Sequence, residues 1–170
     1  MVRGAPSLLL VFAGALAAGA SPALAVTQNA SVNATVVKPL TLTSLQNLDL
    51  GTITLGTGTF SNAVVGISRT GVFNCANANT ICTGARQVAQ YKVTGSNKQV
   101  VLISAPNVTM INQADPTKTL TLAVDSPGQV TLTSSGEPGL TFGIGGSITL
   151  SSTTATGTYV GTFHVTVDYQ

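Results

Sequence analysis

The sequence predicts an all-β fold, a sandwich or a barrel, and two observations lead to this prediction. Short runs rich in Val, Ile and Thr recur along the chain, and clusters of Gly, Pro, Asn and Ser separate them. No window keeps its apolar residues at the period of a helix over three turns. Because the chain shows no linker and has the length of one domain, we expect a single folded domain.

The first 25 residues are expected to be a signal peptide. Arg3 supplies a short positive region, residues 8–18 form an apolar run of signal-peptide length, and Ala23-Leu24-Ala25 offers a cleavage site. That run is too short to span a bilayer. We therefore expect an exported protein whose mature chain comprises residues 26–170.

The first predicted strand, residues 30–37, alternates small apolar residues with polar ones. Its apolar positions share one face and are Ala30, Val32, Ala34 and Val36. Lys38-Pro39 ends the run, since proline lacks a backbone N–H. We interpret residues 26–38 as an extension that precedes a domain at residues 39–170; an ordinary first strand is the alternative.

The next strands follow from apolar alternation between turn residues. Gln46-Asn47 interrupts an otherwise strand-like run at 40–55, and glycines separate this run from the next. Gly95-Ser96-Asn97, Ser126-Pro127-Gly128 and Gly145-Gly146 have the composition of turns or bends. The predicted strands after position 55 are residues 63–68, 90–94, 99–104, 119–125, 129–133, 147–150 and 159–169.

The last predicted strand has the clearest pattern. Its apolar positions lie on one face and are Tyr159, Phe163, Val165, Val167 and Tyr169. Thr, His and Asp residues occupy the other face, and only Val160 departs from the alternation. The pattern predicts one face against a core and one face in water.

Cys75 and Cys82 are the two cysteines of the chain, and we predict a disulfide between them. The export signal permits this bond, which would close a small polar loop. A metal or redox site is the alternative, but the spacing is not CxxC and no histidine lies near.

The composition argues against a nucleic-acid partner and against an enzyme. Without Arg3 the chain has six basic and five acidic side chains, which form no basic cluster. His164 and Asp168 share a strand face, but four residues along a strand separate them by about 13 Å. The acidic residues are too scattered to indicate a metal site, and Gly143-Ile144-Gly145 lacks the pattern of a phosphate loop. We expect no catalytic residue, no metal and no cofactor; a calcium site built from distant loops is the alternative.

The two termini together resemble the subunits of bacterial chaperone-usher pili. In that family the last strand carries alternating apolar residues, a penultimate tyrosine and a glycine fourteen residues from the end, which match Tyr169 and Gly157. The alternating extension after the signal peptide is matched by residues 26–37. The segments LDLGTITLG and GGSITLSSTTATGTYVGTFHVTVDYQ also resemble a family of uncharacterised exported bacterial β-sandwich domains with the same ending.

The resemblance implies an immunoglobulin-like β-sandwich that lacks its last strand and is completed by a donor strand. The last strand would border the groove with Gly157, Tyr159, Phe163, Val165, Val167 and Tyr169. A periplasmic chaperone fills the groove first. The N-terminal extension of the next subunit then replaces it and directs Ala30, Val32, Ala34 and Val36 into the groove. The implied partners are further copies of the chain, the chaperone and an outer-membrane usher, and the implied location is the periplasm in transit and then a surface fimbrium. The implied function is that of a filament subunit with a role in adhesion. The alternative is a self-contained secreted sandwich that binds a glycan or coats the cell surface.

Overall fold

The computed structural model describes residues 26–170, and the predicted signal peptide, residues 1–25, lies outside them. These residues form strands and loops and no helix, so the prediction of an all-β sandwich is confirmed. The strands are β1 (Thr41–Gln46), β2 (Thr52–Leu55), β3 (Ala63–Ile67), β4 (Phe73–Asn74), β5 (Thr80–Thr83), β6 (Ala89–Thr94), β7 (Val100–Ser104), β8 (Val108–Asn112), β9 (Thr119–Asp125), β10 (Gln129–Thr131), β11 (Leu140–Leu150), β12 (Tyr159–Val160) and β13 (Thr166–Tyr169).

Every ladder between these strands is antiparallel, and the strands form three sheets. The largest sheet has the order β1-β6-β11-β9-β8-β12, and β3 joins it beside β11 with β4 beyond. The second sheet has the order β10-β7-β13, and the third is a ribbon of β2 and β5 alone. A two-stranded ribbon is marginally stable by itself, so β2 and β5 depend on packing against the rest of the domain.

Two apolar clusters hold the sheets together. The first packs Val93 of β6 and Ile144 of β11 against Val101 of β7, and the last strand contributes Val165, Val167 and Tyr169 to it. The second lies around Val65, Leu122 and Ile148, and its partly buried members include Ile53 and Leu55 of β2. Phe163 packs against both clusters, which places the C-terminal segment at their junction.

The predicted turn at Gly145-Gly146 is wrong, because both glycines lie inside β11. The first part of this strand pairs with β6, and residues 146–150 pair with β3. Glycine is needed because the neighbouring backbone comes very close: a Cβ at Gly145 would overlap the carbonyl oxygen of Ile67. The glycines therefore permit close packing within the sheet.

The predicted continuous strand at 159–169 is also wrong. The chain forms β12 beside β8, leaves regular pairing over residues 161–165, and forms β13 beside β7 in a different sheet. Its burial nevertheless alternates as expected, because the five predicted apolar positions are partly buried and the residues between them are exposed. The sequence pattern missed β4, β5 and β8 and the first half of β11.

Residues 26–40 form no strand, so the predicted strand at 30–37 is not formed in the single chain. Residues 36–170 make up one compact unit, and residues 26–35 are not part of it. Among the described residues there is also no helix long and apolar enough to cross a membrane.

Candidate functional site

A large open groove with an apolar floor is the main cavity described in the domain, with a volume of about 940 Å³. Its floor consists of side chains from β8, β9 and β11, namely Met110, Leu120, Leu122, Ile148 and Leu150. Leu122, Ile148 and Leu150 are buried and belong to the second apolar cluster. Residues 47–55 form one wall and residues 154–163 contribute to the other.

The first wall includes β2, which forms a two-stranded ribbon with β5. β2 pairs with β5 along Thr52–Leu55, and within residues 26–170 no other strand pairs with β2. Its Ile53 and Leu55 side chains are partly buried and belong to the second cluster. One backbone edge of β2 is therefore left without a strand neighbour.

The second wall contains the break in the C-terminal strand. Residues 161–165 have no strand partner, and the backbone N–H and C=O groups of residues 162–164 have no hydrogen-bond partner among residues 26–170. Gly161, Thr162 and Phe163 line the groove. Unpaired backbone groups normally find partners, so these groups are available for hydrogen bonds to water or to another strand.

Gly157 and Asn112 fix the beginning of the second wall. Gly157 has a φ of +140°, and a Cβ there would meet the carboxamide of Asn112 at 2.5 Å. Asn112 is buried; its amide donates to the carbonyl of Thr156 at 2.9 Å, and its Oδ1 accepts from the N–H of Ala114 at 2.9 Å. The predicted site residue Gly157 thus lies at the groove, where only glycine fits without displacing a buried side chain.

Of the remaining predicted site residues of the last strand, Tyr159 and Phe163 line the groove. Val165, Val167 and Tyr169 pack in the first cluster beyond it. The Tyr169 hydroxyl donates to the carbonyl of Lys38 at 2.6 Å and accepts from the N–H of Ser96 at 2.8 Å. The last strand therefore borders the groove in one part and fastens the start of the domain in another.

The four predicted apolar positions of the extension are exposed. Val32 is 91% exposed and Val36 is 92% exposed, the two highest values among the large exposed apolar side chains described. Exposed valines at every second or fourth position are unusual beside a folded domain. They bury no apolar surface that would offset the entropy cost of ordering the chain.

The predicted disulfide between Cys75 and Cys82 is confirmed. Cys82 lies in β5 opposite Ile53 of β2, and Cys75 directly follows β4. Sequence reasoning did not indicate that this bond joins the β2–β5 ribbon to the strand beside β3.

The charged groups near the largest sheet form surface pairs. Arg69 donates to Asp125 from its guanidinium at 2.7 Å and from its backbone N–H at 2.8 Å. Burial raises the pKa of the Asp125 carboxyl, but these two donors outweigh that effect, so the pKa lies below its ordinary value of 3.8. His164 and Asp168 are exposed, and no hydrogen bond joins them.

Most of the groove was missed by sequence reasoning. Its floor residues come from three strands between positions 110 and 150, and their meeting depends on the sheet order. The available signal was the apolar content of the β9 sequence, TLTLAVD, but this indicated only a half-buried strand.

No curated protein and no solved structure matches the chain significantly. A family model described as a domain of unknown function, DUF4402, matches residues 40–169 and does not include the extension. The chain therefore belongs to the DUF4402 family.

Proposed function

We propose that the protein is the structural subunit of a bacterial surface filament, in which the extension of one copy fills the groove of the next. The observation that carries the proposal is the groove itself, which combines an apolar floor with the unpaired backbone of residues 162–164. An added strand would hydrogen-bond to this backbone and direct alternate side chains to the floor.

Residues 26–37 have the properties that such a groove requires. Their apolar positions alternate with polar ones, they are exposed, and they pair with no strand in the single chain. Burying two valines and two alanines contributes on the order of 4–8 kcal/mol before ordering costs. That sum is comparable with the whole stability of a domain, about 5–15 kcal/mol.

The length of the extension favours insertion into the groove of a second copy over insertion into the groove of its own chain. Lys38 is held at Tyr169, and Phe163 lies six residues away along an extended segment, which is about 20 Å. Val36 is two residues from Lys38 and reaches only about 7 Å. Because Val36 reaches only about a third of that distance, the extension is better suited to the groove of a second copy.

A contact between an extension and a groove on different surfaces joins copies head to tail. Such an interface is heterologous, and unless the rotation between copies closes a ring it propagates as an open filament. The expected signal peptide would direct export from the cytoplasm, and a chaperone that covers the groove in transit would prevent aggregation through the open strand edges.

The test compares residues 26–170 with a variant that lacks residues 26–37. We expect the full mature chain, refolded at high concentration, to form elongated oligomers in size-exclusion chromatography and electron microscopy, and the truncated variant to remain monomeric. A synthetic peptide of residues 26–37, present during refolding, should bind the truncated variant with 1:1 stoichiometry. Unchanged assembly of the truncated variant, or absence of peptide binding, would overturn the proposal.

A further inference from the structure

The Cys75–Cys82 disulfide links one wall of the groove to the largest sheet. Within the described residues it is the only covalent link between them apart from the backbone. β5 carries Cys82 and pairs with β2, which lines the groove. Cys75 follows β4, which pairs with β3, and β3 pairs with β11. The bond therefore connects the β2–β5 ribbon to the sheet that supplies the floor.

Apart from the disulfide and its apolar packing, the ribbon is anchored at its two ends and in the connection from β4, where the N–H and hydroxyl of Thr80 donate to the carbonyl of Asn77. Asp49 and Gln87 exchange two backbone hydrogen bonds of 2.9 Å at the end of the ribbon where β2 begins and β5 ends. At the opposite end, β2 leads through Gly56 to a loop in which the carbonyl of Phe60 accepts from the N–H of Ser152. The connection from β4 to β5 is the loop 75–79, and the disulfide closes this loop.

We propose that the disulfide positions this wall, so that the groove is open at the correct width only while Cys75 and Cys82 are bonded. This inference rests on the proposed function, since the occupant of the groove is the extension of a second copy. Without the bond, the apolar contacts of Ile53 and Leu55 and the hydrogen bonds at the ends of the ribbon remain, and the ribbon can pivot at Asp49 and Gln87 towards or away from the floor. Reduction of the protein thus weakens strand capture while the two main sheets stay folded.

The loss of affinity follows from the fraction of molecules whose wall is in place. If the unbonded ribbon occupies its position about one tenth of the time, the apparent dissociation constant for an added strand rises about tenfold. The first apolar cluster contains neither cysteine, so the strands around Val93 and Val101 keep their packing.

The experiment uses the variant that lacks residues 26–37 and the peptide of residues 26–37. We introduce Cys75→Ala with Cys82→Ala, so that no free thiol remains, and measure peptide affinity together with hydrogen exchange. We expect about tenfold weaker binding, faster exchange at β2 and β5, and unchanged exchange at β6 and β7. Val101→Ala is the matched control, because Val101 is fully buried in the first cluster and lines no part of the groove.

Val101→Ala should lower the free energy of unfolding at least as much as the double variant yet keep peptide affinity and the exchange of β2 and β5. Equal peptide affinity with and without the disulfide, or an equal loss of affinity in Val101→Ala, would overturn the positioning role. If the proposed function itself is wrong, the result is distinguishable: the variant with an intact disulfide then does not bind the peptide at all.

Discussion

The Tyr169 hydroxyl joins the last strand to the root of the extension by donating to the carbonyl oxygen of Lys38 at 2.6 Å. It also accepts from the N–H of Ser96, and the hydroxyl of Ser96 accepts from the N–H of Lys38 at 2.6 Å. Gly95 makes this possible, because a Cβ there would overlap the Tyr169 hydroxyl. The two ends of the domain are thus fastened to each other through one side chain.

Tyr169→Phe should lower the free energy of unfolding by about 1–2 kcal/mol, because it removes two hydrogen bonds and leaves the ring in place. Urea unfolding of the variant without residues 26–37 measures the effect. Tyr159→Phe is the control, since its hydroxyl bonds only to the carbonyl of Ala155, four residues away. We expect a smaller loss there; an equal loss in both variants would mean that Tyr169 contributes nothing beyond an ordinary tyrosine.

Gly157→Ala should destabilise the domain by roughly 2–4 kcal/mol, because it combines an unfavourable backbone conformation with a clash against Asn112. Gly128→Ala is the matched control: Gly128 also has a positive φ, +73°, but a Cβ there meets nothing within 4 Å. It should cost about 1–2 kcal/mol from the backbone alone. Thermal unfolding compares them, and equal losses would contradict the role given to the Asn112 contact.

Val32→Asp in the peptide of residues 26–37 should abolish its binding, and the same change in the full chain should block assembly. A carboxylate buried without a partner costs several kcal/mol, which is comparable with everything the four apolar side chains contribute. Asn33→Asp puts the same charge on the opposite face and should bind nearly as well as the wild-type peptide. Isothermal titration calorimetry measures the affinities of the Val32→Asp and Asn33→Asp peptides. Similar affinities would refute insertion of the face that carries Val32.

Acidification should weaken the surface pair of Arg69 and Asp125. Because the folded pKa of Asp125 lies below 3.8, its carboxylate stabilises the fold above that value, and this contribution disappears as the pH falls through the folded pKa. The contribution is below about 1 kcal/mol, since both side chains are partly exposed. Urea unfolding of the wild type and of Asp125→Asn at several pH values should converge in acid; a constant difference would exclude this linkage.

The fold class and the burial pattern of the last strand could be predicted because both depend on local alternation. Val165, Val167 and Tyr169 face the core as period two requires, and Cys75 and Cys82 are close enough in sequence to bond. The interruption at residues 161–165 could not be predicted, because it depends on whether another strand lies beside them. The side-chain types at these positions do not indicate whether the backbone is hydrogen-bonded to a neighbouring strand.

The glycine pair at Gly145-Gly146 shows a different limit of local reasoning. Two adjacent glycines usually indicate a turn, but here the backbone at Ile67 leaves no room for a side chain at Gly145, and a Cβ at Gly146 would meet the Leu122 side chain at 2.9 Å. The groove was hidden for a related reason: Leu122 and Leu150 belong to different strands, and only the order of the largest sheet brings both into one floor.

The last strand has a mechanical consequence for a filament assembled as proposed. Tension would enter each subunit where the inserted extension lies along residues 161–163 and leave it at Lys38, which is fastened to Tyr169. Residues 161–163 and Tyr169 belong to one stretch of backbone, so the part of the load that Tyr169 carries would run lengthwise along that strand. Hydrogen bonds loaded in this direction share the force and must break together, whereas a pull across the strand would open them one at a time.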